Sequence, residues 1–458
     1  MVSSYTGGMP FLEPLRNQLA VVWALVANTW WLWLPVVLFF AGRELWRVYL
    51  RVRYFTFLKW VLLEVRIPRE MVKTPEAMEQ VFAGLQTLYF PFEFNEVWWQ
   101  GLQHDYLIFE MVSLGGETRF FIRAPVAFRN AVEAQIYAQY PEAEVREVDD
   151  YMKLLPGAVP SADWELFGVE FKLAKEDAYP IRTYRDFMSL APGQKEPEKV
   201  DPFSSIAELS GRIRPGEYLA YHILLRPAQT PTPDAWREAG EKLVSKLIGR
   251  KEEPKKGKIA KALEPLEPVT KGWGEPLRPL FGLEPAAAPV KREARVEPSQ
   301  MQYLSPGTKD IVAAVERNIL KPGFEVVIRF TYIARRDLFT FAHLAAFIGA
   351  LKQFSTLTLN AFSLNGKAMA TAVPWWWPPF LKRRRKAVKQ RLFYDYFRAR
   401  KPFVDTWWWN GLRSKVPLVL NSEELATIFH FPGTTTRAPL MPRLEARRGE
   451  PPAILPVG

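Results

Sequence analysis

The sequence predicts an α+β protein that begins with one membrane-spanning helix. Three observations support this fold class: a long uncharged segment, a following alternation of strand-type and helix-type periodicity, and a proline-rich charged segment that interrupts the second half. With 458 residues, the chain has the length of about two or three domains. Its residues are 48% hydrophobic and 24% charged, which excludes a wholly disordered chain and a polytopic membrane protein.

The N-terminal segment is predicted to cross a membrane. Residues 17–42 carry no charge, and as a helix they would span roughly 39 Å, against about 30 Å for the hydrocarbon core of a bilayer. A signal peptide, whose apolar region is only about 7–15 residues long, and a buried core helix are the alternatives. We place a transmembrane helix at residues 18–42, after a short non-cytoplasmic N-terminus of residues 1–17. Arg43, Arg47 and further bases follow the helix, so the positive-inside rule places the bulk of the chain in the cytoplasm.

Residues 57–152 are predicted to form a ferredoxin-like α+β domain. Gly115-Gly116 lies between two strand-type segments, as in a tight hairpin, and Thr74-Pro75-Glu76 is a typical helix start. The segments follow the order β-α-β-β-α-β, over residues 57–68, 74–89, 105–114, 117–125, 126–139 and 144–152. This fold hosts unrelated functions, so it indicates no activity by itself.

A second α+β domain is predicted over residues 160–249 plus 305–373. It contains three strand-type segments and three helix-type segments, and their order in a sheet is left open. Residues 250–304 interrupt it with eight prolines, many charges and almost no periodicity. Their lysines alternate with glutamates, so we interpret this segment as a disordered linker rather than a nucleic-acid-binding tail.

The positive charge of the chain is concentrated in residues 374–415. This segment contains twelve bases and two acids, which account for +10 of the net charge of +12. Two tryptophan triplets bracket a helix-type stretch within it, Pro379–Arg400. The residues predicted to make a contact here are Trp375, Trp376, Trp377, Lys382, Arg383, Arg384, Arg385, Lys386, Lys389, Arg391, Trp407, Trp408 and Trp409.

Three interpretations of this basic, tryptophan-rich segment remain open. It could rest on an anionic membrane surface, with indole rings at the headgroup level. It could bind nucleic acid, with cations on phosphates and aromatic rings stacked on bases. It could also be a solvated basic helix whose tryptophans pack inside the domain. The membrane surface is favoured because the predicted spanning helix would already hold the segment beside a leaflet.

The sequence offers no motif for catalysis, a cofactor or a metal. It has no cysteine, and its four histidines are scattered singly. It lacks the Walker A, H-E-x-x-H, G-x-S-x-G and GxGxxG patterns. We therefore predict a protein that is not an enzyme and that needs no cofactor.

Two stretches resemble one known family. Residues 120–151 (FFIRAPVAFRNAVEAQIYAQYPEAEVREVDDY) and residues 419–456 (VLNSEELATIFHFPGTTTRAPLMPRLEARRGEPPAILP) are similar to the membrane-anchored N-terminal regions of type IV secretion coupling-protein-like ATPases. In such relatives, the stretch that corresponds to Gly449–Pro456 leads into a hexameric, DNA-translocating P-loop motor domain. This sequence ends at Gly458, so the resemblance implies that the motor is encoded separately or that the gene is split or truncated.

The resemblance and the charge pattern together predict a non-enzymatic docking module of a type IV secretion or conjugation-like DNA-transfer apparatus. The module would be a single-pass protein of the bacterial inner membrane, with its N-terminus outside. Its expected partners are anionic lipids and a separately encoded cytoplasmic P-loop ATPase, which Asn421–Pro456 would meet within a C-terminal helix and proline-rich connector (416–458). DNA binding and homo-oligomerisation are left open. The alternative function is a membrane-tethered nucleic-acid-binding protein that uses residues 374–415.

Overall fold

The computed structural model describes thirteen parts of the chain, which belong to two compact units. The first unit comprises residues 1–60 and 90–105, and the second comprises residues 61–89 and 106–458. The described residues are 23, 27–68, 73–87, 93, 95–96, 99, 102, 106–188, 201–228, 235–249, 304–373, 377–401 and 417–433.

The first unit contains helix α1, Trp30–Phe57. A membrane-spanning helix needs about 20 predominantly apolar residues, but α1 begins at Trp30 and carries charged residues from Arg43 onward. In the part of the chain that the structure describes, no helix is both long and apolar enough to cross a bilayer. The predicted spanning helix at 18–42 does not fit this finding, and residues 18–22 and 24–26 lie outside the described residues.

The second unit contains a mixed α+β fold around one antiparallel sheet. Its strands are β1 Trp60–Arg66, β2 Leu107–Leu114, β3 Glu117–Pro125, β4 Glu144–Glu147, β5 Trp164–Leu173, β6 Glu217–Pro227, β7 Gly323–Arg335, β8 Phe362–Met369 and β9 Leu418–Asn421. Its helices are α2 Pro75–Gln86, α3 Arg129–Gln139, α4 Tyr184–Met188, α5 Ser204–Gly211, α6 Ala235–Leu247, α7 Pro306–Ile319, α8 Ala342–Lys352, α9 Pro379–Arg398 and α10 Ser422–Ile428.

The strand order divides the sheet into two halves of the same design. The order is β4-β1-β3-β2-β6-β7-β5-β8, and β9 adds to β7. In the first half, β1 lies between β3 and β4, and β2 lies at the junction of the two halves. In the second half, β5 lies between β7 and β8, and β6 lies at the junction. β2 and β6 pair antiparallel at this junction, with Glu110 opposite His222. The two predicted α+β domains therefore share one continuous sheet.

The predicted order β-α-β-β-α-β is present in the first half, and its hairpin is confirmed. Gly115 and Gly116 have φ values of 63° and 100°, which suit the left-handed positions of a two-residue turn. In the second half, the equivalent connection between β6 and β7 is long and contains α6, α7 and the predicted linker at 250–304. Residues 250–303 lie outside the described residues.

Helices cover both faces of the sheet. Alternate strand residues such as Phe109 and Ile223 pack with α2, α3, α5, α8 and α10 on one face. Val112 and Ala220 point to the other face, where they pack with Phe393 of α9. Strands that are buried on both faces contain long apolar runs, and a charged side chain within such a run is forced into the core.

The C-terminal strand and helix, which begin the segment predicted to meet a partner (Asn421–Pro456), are part of the core. β9 pairs with β7, and a capping box between Asn421 and Glu424 starts α10. Residues 420–432 are all buried, and Phe429 makes edge contacts with the rings of Phe109 and Phe120. Residues 434–456 of the segment lie outside the described residues, so the predicted contact with a partner stays a prediction.

Candidate functional site

Helix α9 is the structured part of the predicted contact segment. Pro379 begins the helix, in line with the predicted start, and Arg398 ends it. Its inner face contains Phe393, Tyr394 and Phe397, all buried against the sheet. Gly168 of β5 makes this close approach possible, since a methyl group at Gly168 would overlap the ring of Phe393.

The outer face of α9 is a basic stripe. Four exposed arginines lie on it, namely Arg383, Arg384, Arg391 and Arg398. Their spacings of one, seven and seven residues keep them within one face of a helix with 3.6 residues per turn. The exposed apolar side chains of Phe380 and Val388 lie on the same face, so the stripe combines cations with apolar groups.

Two of the other predicted contact residues, Lys386 and Lys389, bond to the protein. Lys386 donates to Glu165 Oε1 at 3.3 Å and remains partly exposed, and the buried Lys389 donates to the carbonyl of Ala372 at 3.1 Å. The half-buried members of the set are Trp377, Lys382 and Arg385, and the members outside the described residues are Trp375, Trp376, Trp407, Trp408 and Trp409.

A row of ionisable side chains runs across the sheet beneath the C-terminal end of α9. Glu110, His222, Arg329 and Glu170 lie opposite one another on β2, β6, β7 and β5. All four are fully buried. The sequence analysis missed this row, although each strand segment already contained one ionisable residue in an apolar run, and that signal could have revealed it.

Arg400 closes the row from the end of α9. It is not a glycine, yet it has a left-handed φ of 54°, a conformation that costs about 1–2 kcal/mol. Its Nε donates to Glu110 Oε1 at 2.5 Å, and its two Nη atoms donate to the Asp150 carboxylate at 2.7 and 2.9 Å. This strained backbone places one guanidinium between two carboxylates.

Tyr151 lies between Glu110 and His222 and forms a hydrogen bond with each. The Tyr151 hydroxyl donates to Glu110 Oε2 at 2.6 Å and lies 2.8 Å from His222 Nε2. Because the hydroxyl has only one proton to donate, His222 Nε2 is the donor in the second bond. The imidazole stacks on the ring of Phe397 at 5.0 Å, and its Nδ1 has no hydrogen-bond partner among the described residues.

Arg329 ties the same end of α9 to the other half of the row. Its Nε donates to Glu170 Oε1 at 3.1 Å, and its Nη1 donates to the carbonyl of Tyr396 at 3.3 Å. A further bond joins Nη2 to the carbonyl of Lys401. A cation therefore satisfies carbonyl groups at the C-terminal end of the helix, where the helix dipole is negative.

Burial and ion pairing set the charges in this row. Burial acts to raise the pKa of Glu110, but the guanidinium of Arg400 holds that pKa below its ordinary value. Burial lowers the pKa of His222 from 6.5 to about 3, so its imidazole is neutral at pH 7. Glu110 and Asp150 are thus carboxylates that face the positive charge of Arg400.

A small void lies beside the row. The void beside Tyr151 and Phe397 has a volume of only about 10 Å³, close to the minimum for a single water molecule. Among the described residues, no group of three or more histidine, aspartate or glutamate side chains could hold a metal ion. The arrangement is a clamp that fixes the basic stripe to the sheet, and we refer to Glu110, Asp150, Tyr151, His222 and Arg400 as the Arg400 clamp.

Comparison with known families places most of this architecture in one of them. A family model described as a domain of unknown function (DUF8128) matches residues 57–356, well over half of the chain. The matched range contains Glu110, His222, Arg329 and Glu170, and it ends before α9 and Arg400. No curated protein sequence matches the chain.

Proposed function

The chain belongs to the DUF8128 family, and we propose that it is a non-enzymatic docking module attached to the bacterial inner membrane. In this role it positions a separately encoded cytoplasmic P-loop ATPase of a type IV secretion or conjugation-like DNA-transfer apparatus. The exposed apolar surface of α1 carries the membrane part of the proposal. The resemblance of residues 120–151 and 419–456 to coupling-protein-like ATPases supports the choice of apparatus and partner.

Helix α1 presents large apolar side chains in nearly every direction. Phe39 and Leu45 are 68% and 70% exposed, and Trp31, Leu32, Val36 and Val37 are exposed as well. Burying one such side chain stabilises a protein by about 1.5–3 kcal/mol. A helix with apolar side chains on all sides is typically buried in a protein core or in a membrane. Acyl chains supply such a cover. The bases that begin at Arg43 suit the anionic headgroups next to them.

The basic stripe of α9 supports a second contact with the same membrane. Each base near an anionic leaflet contributes on the order of 1 kcal/mol, and the stripe holds four arginines with a single exposed acid, Asp395, on the helix. Phe380 and Val388 provide apolar groups for the headgroup region. The Arg400 clamp keeps the stripe rigid, so little conformational entropy is lost when it binds.

The strand order supports a ferredoxin-like interpretation of the fold, not only for residues 57–152 but for both halves of the sheet. The order β4-β1-β3-β2 is repeated as β8-β5-β7-β6. A helix connects the first strand to the second and the third to the fourth in each half. We infer a duplicated scaffold, which suits a docking role because it offers two related sets of surfaces.

Vesicle flotation of the full-length protein tests the membrane contacts. We expect the protein to float with phosphatidylcholine vesicles and to bind more tightly when about one third of the lipid is phosphatidylglycerol. The variant with Arg383, Arg384 and Arg391 changed to glutamine should lose part of the preference for phosphatidylglycerol, because the bases of α1 remain. A matched control, in which the exposed Lys172, Lys242 and Lys309 become glutamine, should keep it. A protein that remains at the bottom of the gradient with both lipids contradicts the proposal.

Two further assays address the partner and the alternative function. Co-purification with a P-loop ATPase encoded beside this gene is the expected result for a docking module. Titration with single-stranded DNA tests the alternative nucleic-acid-binding function. The result that favours nucleic-acid binding over the lipid contact has two parts. DNA binding falls steeply with salt and is lost in the arginine variant, and vesicle binding of that variant is unchanged.

A further inference from the structure

A groove lies along one face of the last turns of α1. It is lined by Leu50, Arg53, Tyr54, Phe57 and Leu58 of the helical segment and is closed on one side by Trp99. Positions 50, 53, 54 and 57 share one helix face because they are separated by three, one and three residues. Trp99 is held beside this face by an edge contact with Trp46, at 6.5 Å between ring centroids.

The groove has the volume of a small-molecule site. Its volume is about 390 Å³, within the range of about 300–1,000 Å³ that is typical of such sites. Phe57 and Trp99 are 75% and 70% exposed, so their rings are open to a ligand, whereas Leu50 is only 3% exposed. At roughly 30 Å³ for each water-sized group, the cavity has room for about a dozen methylene groups.

The residues that line the groove indicate the class of ligand. Leucine and aromatic side chains make the walls apolar, while Arg53 brings an exposed guanidinium to the groove. A guanidinium binds a phosphate through two parallel hydrogen bonds. A ligand that satisfies both parts of the groove has a phosphate at one end and an apolar chain at the other.

The geometry points to a binding site for one anionic phospholipid, with an acyl chain against Phe57 and Trp99 and the phosphate on Arg53. This assignment rests on the proposed membrane attachment and deepens it, since it names a specific lipid contact on α1. It also gives the basic end of α1 a role that differs from general attraction to a charged surface. A bound lipid would fix the helix to the segment that contains Trp99.

Native mass spectrometry of the full chain in a nonionic detergent tests this site. The probes are dioctanoyl phosphatidylglycerol and dioctanoyl phosphatidylcholine. We expect one tightly bound phosphatidylglycerol per chain and roughly fivefold weaker binding of phosphatidylcholine. Arg53→Gln should remove this difference. Arg43→Gln removes the same charge from the same helix outside the groove, so it should leave the difference unchanged.

Several outcomes overturn the assignment. It fails if the two lipids bind equally to the unmodified chain, if Arg53→Gln and Arg43→Gln behave alike, or if the chain associates through α1 as a dimer without lipid. In each of these cases the protein can still float with vesicles, and the proposed function survives. If the unmodified chain does not float with vesicles, the proposed membrane attachment itself is contradicted.

Discussion

Replacing Arg400, which follows α9, by glutamine should strongly destabilise the second unit. The side chain makes four hydrogen bonds to the carboxylates of Glu110 and Asp150. After the change, the fully buried Glu110 keeps the hydroxyl of Tyr151 but loses its charge partner. Removing one partner of a buried ion pair costs about 3–5 kcal/mol, because the remaining charge stays in a medium of low polarity.

The left-handed backbone at Arg400 allows the loss of ion pairing to be separated from backbone strain in this free energy. A glycine adopts φ near 54° without strain, whereas arginine and glutamine both pay about 1–2 kcal/mol. Arg400→Gly should therefore be less destabilising than Arg400→Gln by about 1 kcal/mol. Arg400→Gln combined with Glu110→Gln should cost less than the sum of the two single changes, with a coupling energy of about 1–3 kcal/mol.

Urea unfolding of the full chain, followed by circular dichroism, measures these differences. A loss of 4 kcal/mol corresponds to a decrease in Tm on the order of 6 °C for a unit of this size. The control is Arg398→Gln, which removes an exposed arginine from the same helix end and should change stability by less than about 0.5 kcal/mol. If Arg400→Gln matches this control, the clamp does not stabilise the fold and our interpretation of the row is wrong.

Three further predictions follow from the core. The folded state holds His222 neutral with a pKa of about 3, below its ordinary value of 6.5, so its contribution to stability is lost as the pH falls below 6.5. When the pH is lowered from 7.5 to 5, the unfolding free energy measured in urea should fall by about 2 kcal/mol less in the His222→Gln variant than in the unmodified chain. The same pH dependence in both proteins would contradict this prediction. Gly168→Ala should lower the unfolding free energy by about 1–3 kcal/mol, because the added methyl group overlaps Phe393. Gly366→Ala, which has open space at its Cβ position, is the control and should be nearly neutral in the same assay. Phe429→Ala should cost about 3–5 kcal/mol, since Phe429 is fully buried, whereas Leu357→Ala at a fully exposed site should cost little; similar thermal shifts for both would place α10 outside the core.

Local signals predicted the elements, but not how they are assembled. Pro379 marked the start of α9, and Gly115-Gly116 marked the hairpin, because proline and glycine act within one turn. The pairing of β2 with β6 joins Glu110 to His222 across 112 residues, and no short-range pattern encodes such a contact. The single sheet was therefore missed, and with it the burial of the ionisable row.

The contacts that the bases of α9 make also depend on the fold. Charge counting treated every base of α9 as available, but Lys386 and Lys389 lie on the inner face and bond to the protein. Arg400 was counted as one more base of the segment, whereas it is the most deeply bonded residue of the clamp. For Asn421–Phe431, the capped helix was predicted correctly, and its burial depended on a pairing with β7 that only the fold shows.

Single-cysteine spin labelling tests the membrane attachment of α1 most directly. The chain has no cysteine, so Phe39→Cys and Leu357→Cys each give one labelling site, on α1 and on an exposed loop of the second unit. In phosphatidylglycerol-containing vesicles, the label at position 39 should be relaxed strongly by oxygen and weakly by a water-soluble nickel complex, and the label at position 357 should show the opposite. If both labels are equally accessible to the nickel complex, α1 does not lie in lipid and the proposed attachment is wrong.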